Sequence, residues 1–220
     1  MPAVPRRWAR PVTRVRRRAS DGAKYHAFVK AGVSLVVLFA VVFYGADHIA
    51  ARQTARFTLY FAWERAIPFH VAAFVPYYSV FLLPFVVPFG ARDTAAVRIW
   101  GWRMAACITA AGAVFVVLPA DLGYPPPPIT PLLHEATLLV AGRHNLVPSL
   151  HVALTLVCVS TAAPGLASKW RLYLYAWAVL LVASTLVTHQ HHVLDVVTGA
   201  ILAIGVRRLV NLAREPEEAS

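Results

Sequence analysis

Charge is scarce in this chain: only 14% of its 220 residues are Asp, Glu, Lys or Arg, against 59% hydrophobic, and the mean hydropathy is +0.60. A soluble globular surface needs roughly a quarter of all residues charged, so a water-soluble monomer is excluded. Cysteine is nearly absent. Cys107 and Cys158 both lie in apolar runs, which excludes a disulfide framework and predicts two buried thiols. Acidic residues number 10 against 21 Lys and Arg, so what charge there is has mostly one sign. No internal repeat is visible.

Long apolar stretches are what the chain has in abundance. Six run over about residues 28–46, 70–90, 101–119, 148–165, 170–188 and 192–210, each near the roughly 20 residues that cross a bilayer as a helix. They predict an all-α fold, a polytopic membrane protein built as a six-transmembrane-helix bundle. A basic cytoplasmic segment at 1–27 would precede a membrane domain at 28–213, and a short tail would follow at 214–220. Between the third and fourth stretches, Asp121 to Val147 holds four consecutive prolines, Pro125 to Pro128, and is expected to be a loop lying against the bundle.

Lys and Arg decide the orientation. With loops assigned alternately, 17 fall on one side: nine between Arg6 and Lys30, then Arg92, Arg98, Arg103, Lys169, Arg171, Arg207, Arg208 and Arg214. Four fall on the other: Arg52, Arg56, Arg65 and Arg143. The positive-inside rule then places both termini in the cytoplasm. The basic N-terminus reads as a topology determinant that attracts anionic lipid, and nucleic acid is not expected as a partner. Eighteen arginines against three lysines hint at a GC-rich genome, hence a bacterial cytoplasmic (inner) membrane. Oligomeric state is not legible.

Ionisable groups at membrane depth are costly and usually functional, and most of those here gather on the outer side. They are His134, Glu135, Arg143 and His144 in the third loop, His151 at the start of the fourth stretch, and His189, His191, His192 and Asp195 between the fifth and sixth. His191 and Asp195 are four apart, which on a helix stacks them on one face and lets the carboxylate hold the ring. Such a pair sets the tautomer and raises the basicity of the other ring nitrogen. Pro148 and Ser149 open the fourth stretch, so free backbone N–H groups there would face an anion. His151, in the same first turn, is placed to donate a proton.

PSLH at Pro148 to His151, followed by STLVTHQHHVLDVVTG at Ser184 to Gly199, resembles the type 2 phosphatidic acid phosphatase superfamily. The likeness is closer to its branch containing inositol phosphorylceramide synthases, and ERAIPFHVAAFVPYYS at Glu64 to Ser79 is similar to that branch's second-span region. The resemblance implies phosphoryl transfer through a phosphohistidine, without a metal or other cofactor, in a six-helix bundle with its site near the outer leaflet. His191 would be the nucleophile, Asp195 its orienting partner and His151 the acid for the leaving oxygen. Three features depart from the pattern. Leu150 stands where the family's first block has Gly, Ser184-Thr185 where the second often begins Ser-Arg, and LPADLGYPPPP at Leu118 to Pro128 lacks the expected upstream base. Phosphate binding then falls to Arg143, Ser149 and His189, with Arg65 more distant.

The expected activity is that of a membrane lipid phosphatase acting on a lipid phosphate or diphosphate. A lipid phosphotransferase is the alternative, differing only in whether water or an alcohol accepts the group. Two other readings are less favoured: a metal enzyme using His189, His191, His192 and Asp195, and a non-catalytic lipid transporter or scaffold.

Overall fold

The computed structural model describes residues 10–125 and 129–213. Residues 1–9 of the expected basic segment, Pro126 to Pro128 of the proline run and the tail 214–220 lie outside the described residues. Every regular element among those described is helical, apart from an isolated bridge between Phe57 and Ala120.

α1 (Arg10–Phe39) runs through a five-residue π-turn, Ala40–Tyr44, into α2 (Gly45–Ala51), so the first apolar stretch is one long rod. The second expected span is not a single helix. Pro76, Pro84 and Pro88 each remove a backbone donor and crowd the preceding turn. The stretch accordingly splits into the 3-10 turns Val71–Ala73, Ser79–Phe81 and Leu83–Val86 and two short helices, α3 (Phe74–Tyr78) and α4 (Val87–Gly90), with its halves bent by 53°. α5 (Thr94–Val117) starts cleanly because the Asp93 carboxylate accepts the Ala96 N–H at 2.8 Å, an N-cap that satisfies one of the helix's orphan donors.

The segment Asp121 to Val147 is not wholly a loop. Pro131 needs no backbone donor at a first helical position, and α6 (Pro131–Ala141) grows from it. Three helices follow: α7 (Leu150–Ala162), extended by the 3-10 turn Ala163–Gly165, then α8 (Ser168–Val187) and α9 (Val193–Leu212).

By length and composition three helical stretches can cross a membrane, Asp21–Ala51, Thr94–Val117 and Ser168–Val187, and the bent pair adds a fourth when counted as one span. α7 is apolar but shorter, and α9 carries Asp195, Arg207 and Arg208 within its 20 residues. The all-helical membrane architecture agrees with the expectation; six uninterrupted apolar helices are not what the chain forms.

α5 is the hub, packed against α1, α2, α7 and α9, while α8 lies on α3 and α7. The core around it holds Trp100, Met104, Ile108, Val157, Leu181 and Ala203. Cys107 and Cys158 are free thiols inside it, as expected, with the Trp100 indole N–H donating to the Cys158 sulfur at 3.4 Å. Large apolar side chains are left on the outside, among them Val33, Val36, Val41, Leu82, Phe89, Leu172, Val179 and Ile201. A soluble protein rarely leaves so much apolar surface uncovered, and such a surface suits helices that lie in a lipid bilayer.

Candidate active site

The first, third and fifth connections meet at one end of the bundle. Phe57 N–H donates to Pro119 O and Asp121 N–H to Phe57 O, His70 N–H donates to Val187 O, and Ala120 N–H donates to His144 O. Asp47, at the end of the first rod, accepts the backbone N–H groups of both Arg143 and His144 at 2.9 Å. The His144 ring sits between Arg56 and Asp121, with Nδ1 2.8 Å from the Asp121 carboxylate. The polar residues spread through these connections are thereby gathered over the ends of α7 and α9.

α8 closes with two backbone bonds of the kind that end many helices in a left-handed residue: His189 N–H donates to Leu186 O and Gln190 N–H to Thr185 O. The left-handed position, φ +55°, is taken by His189, where glycine is usual. Its ring repays the strain through a bond from Nε2 to Ile67 O at 2.9 Å and a face-on stack with Tyr124, ring centres 4.1 Å apart.

His191 lies just outside α9, whose N-cap is His192. The pair with Asp195 therefore forms, but not along a helix face as the four-residue spacing predicts. Asp195 is in the first turn of α9, and its carboxylate reaches back to cap the helix, accepting the His192 N–H at 2.8 Å and facing His191 Nδ1 at 3.3 Å. An acidic group is favoured at a helix N-terminus, so one carboxylate serves both the cap and the ring. With Nδ1–H pointed at Asp195, the lone pair of His191 lies on Nε2.

His151 comes from the other helix end. Ser149 caps α7, its hydroxyl accepting the Val152 N–H, and its own N–H donates to Asp195 O at 2.9 Å, joining the starts of α7 and α9. The His151 and His191 rings stand 5.5 Å apart, and Tyr77 of α3 stacks on His151 at 4.2 Å. His151 Nε2 is buried and has no partner. Gly199 permits the approach: a Cβ there would collide with the Ser149 carbonyl oxygen.

Glu64 and His192 were not singled out for this role by sequence reasoning. Glu64 is fully buried in the first connection and accepts three donors: Phe61 N–H, Val193 N–H and His192 Nδ1–H, each at 2.9 Å. Gly123 N–H donates to His192 Nε2 at 3.0 Å, which settles the tautomer as Nδ1–H. Burial alone would raise the Glu64 carboxyl's pKa; the hydrogen bonds from Phe61, Val193 and His192 outweigh it and hold the group below its ordinary value. The only forewarning was the place of Glu64 at the head of the block resembling the family's second-span region, because 128 residues separate it from its partner.

Arg143 is exposed and is held by its backbone, and Arg65 is exposed as well; among the described residues neither side chain contacts the three site residues. The histidine-rich set named above does not converge on a common point. His189, His191 and His192 turn respectively to Ile67, Asp195 and Glu64, and among the described residues no three His, Cys, Asp or Glu side chains are grouped to hold a metal ion. The arrangement offers a carboxylate-held imidazole with a free ring nitrogen, a second imidazole beside it and a helix N-terminus below. This equipment suits nucleophilic attack on phosphorus with proton transfer to the leaving group.

Residues 100–217, more than half of the chain, match the family model described as the PAP2 superfamily. No curated protein and no solved structure matches the chain.

Proposed function

Because the chain belongs to the PAP2 superfamily, whose members are phosphatases or phosphotransferases, we propose that it is a membrane lipid phosphatase working through a phosphohistidine on His191, without a metal. The observation that carries this reading is the meeting of His191, Asp195 and His151 at one end of the bundle. His191 Nε2 attacks phosphorus while the bond to the lipid oxygen breaks, and His151 protonates that oxygen. Water, deprotonated by His151, then attacks the phosphohistidine, releasing inorganic phosphate and restoring His191. Asp195 balances the imidazolium charge as it develops.

In this reading the bundle crosses the membrane six times, using the first rod, the bent pair, α5, α7, α8 and α9. Both termini are cytoplasmic and the site faces the extracytoplasmic side of a bacterial inner membrane. The charge asymmetry supports that orientation. The basic segment at 1–27 rests on anionic lipid, 28–213 is the catalytic domain and 214–220 is a tail. The motifs at Pro148 to His151 and Ser184 to Gly199 support the branch containing inositol phosphorylceramide synthases.

The test is phosphate release by purified protein in EDTA from phosphatidic acid, phosphatidylglycerophosphate and a polyprenyl diphosphate. Release from at least one is expected. Product that forms only when a lipid alcohol is added would make the enzyme a transferase; silence in both assays would overturn the enzymatic reading. Ser149 and His189 border the phosphate site, and Arg143 is proposed to capture the anionic headgroup from the rim. Arg143→Ala is therefore expected to raise KM severalfold with kcat retained, and an unchanged kcat/KM would remove it from the site. Gly199→Ala drives α7 from α9 and is expected to lower kcat by about 10- to 100-fold and to cost roughly 1–3 kcal/mol of stability. Turnover and thermal unfolding of the same preparation measure both.

A further inference from the structure

A phosphate site ordinarily contains fixed positive charge, and no Lys or Arg side chain among the described residues contacts His191, His151 or Asp195. Something else must hold the phosphoryl oxygens. Buried polar atoms without partners are uncommon in folded proteins, and here several belong to residues packed on or beside the histidines of this region. The Tyr77 and Tyr124 hydroxyls, His151 Nε2 and the Thr155 hydroxyl are all buried and unpaired.

Their placement is specific. Tyr77 is fully buried and its ring stacks on His151 at 4.2 Å with 23° between the planes. Tyr124 is nine-tenths buried and lies sandwiched between His189 and His192, ring centres 4.1 and 4.3 Å away, the two histidines that bracket His191 in the sequence. Thr155 follows His151 by one helical turn on the same face of α7. The two tyrosines arrive from different parts of the chain, Tyr77 from α3 in the broken second span and Tyr124 from the irregular segment after α5, and stand against different histidines.

We propose that the phosphate group is held by neutral donors, the phenol hydroxyls of Tyr77 and Tyr124, in the place basic side chains would otherwise take. The proposal rests on the phosphohistidine reading above. A phenol donates one hydrogen bond and brings no charge, and a bond from it to an anionic oxygen is charge-assisted and stronger than one between neutral groups. Tyr124 stays a donor under all ordinary conditions: burial, with the nearby Glu64 and Asp195 carboxylates, pushes its phenol pKa well up. Stacking against imidazole rings fixes both phenols before substrate arrives, so little ordering is left to the binding step. An unpaired buried hydroxyl weakens the empty protein, which gives this arrangement a signature that a structural tyrosine lacks.

The experiment compares wild type with Tyr77→Phe and Tyr124→Phe in detergent. Three quantities are read: thermal unfolding, kcat/KM on whichever lipid phosphate is hydrolysed, and equilibrium binding of orthovanadate as a phosphate probe. Each variant is expected to unfold at or above the wild-type temperature while orthovanadate affinity and kcat/KM fall by about 10- to 100-fold, the loss of one charge-assisted hydrogen bond. Orthovanadate affinity within twofold of wild type in both variants overturns the proposal, and so does a wild-type protein that does not bind orthovanadate. Orthovanadate bound through both tyrosines by a protein that hydrolyses none of the lipids overturns the phosphatase reading and leaves the phosphate cradle standing.

Discussion

His191→Ala is expected to abolish phosphate release, by roughly 10³-fold or more, while leaving the protein folded. Loss of a covalent nucleophile removes the whole two-step route, and what survives is binding and charge stabilisation alone. The fold should persist because the ring's hydrogen-bond partner among the described residues is Asp195, which keeps its bond from the His192 N–H when the ring is gone. Asp195→Asn supplies the graded comparison. An amide holds Nδ1 less well and can impose the wrong tautomer, so a fall of about 10²- to 10⁴-fold is expected, together with some weakening of the α9 cap. Acid quenching of the wild type during turnover should trap phosphate on the protein, and the alanine variant should trap none. Release that survives in His191→Ala would sink the phosphohistidine mechanism.

Glu64→Ala is expected to be the most destabilising single change, by roughly 3–5 kcal/mol, since each buried donor left without an acceptor costs about 1–3 kcal/mol. Three donors lose their acceptor at once: Phe61 N–H, Val193 N–H and His192 Nδ1–H. Loosening His192 also releases Gly123, so the first, third and fifth connections lose a shared anchor and activity should fall with stability. The carboxyl's lowered pKa fixes the pH dependence. A depressed acid contributes stability above its unfolded value, about 4.3, and that contribution disappears as pH falls through the lower folded value. Wild type should therefore lose thermal stability steeply in that acid range, while Glu64→Gln, less stable near neutrality, should lose less. Parallel acid slopes for the two proteins would remove Glu64 from the acid-sensitive network.

Several features were readable from the residues because they depend on neighbours in the chain. The buried thiols follow from the apolar runs around Cys107 and Cys158, and the gathering of ionisable groups follows from alternating the loops. The helix start at Pro148 and Ser149, with His151 in its first turn, follows from a proline and a serine opening an apolar stretch; that the Ser149 hydroxyl caps it came from the structure. Pro76, Pro84 and Pro88 were equally visible, and their breaking of the second span is a local effect that hydropathy averaged over a window conceals. The helix Pro131–Ala141 was hidden for a related reason, since the prolines before it read as a loop signal for the whole connection.

The site itself divides along the same line. Sequence alone determined that this chain is a helical membrane protein and that His151, His191 and Asp195 are its candidate chemistry, because apolar length and short motifs are properties of contiguous residues. Tertiary structure decided that His191 stands just outside the helix that His192 caps, that Glu64 anchors His192, and that Tyr77 stacks on His151 and Tyr124 on His189 and His192 with buried, unpaired hydroxyls. Those partners lie tens of residues to more than a hundred apart in the chain, and burial, which gives a lone carboxylate or phenol its energetic weight, exists only once the helices have packed.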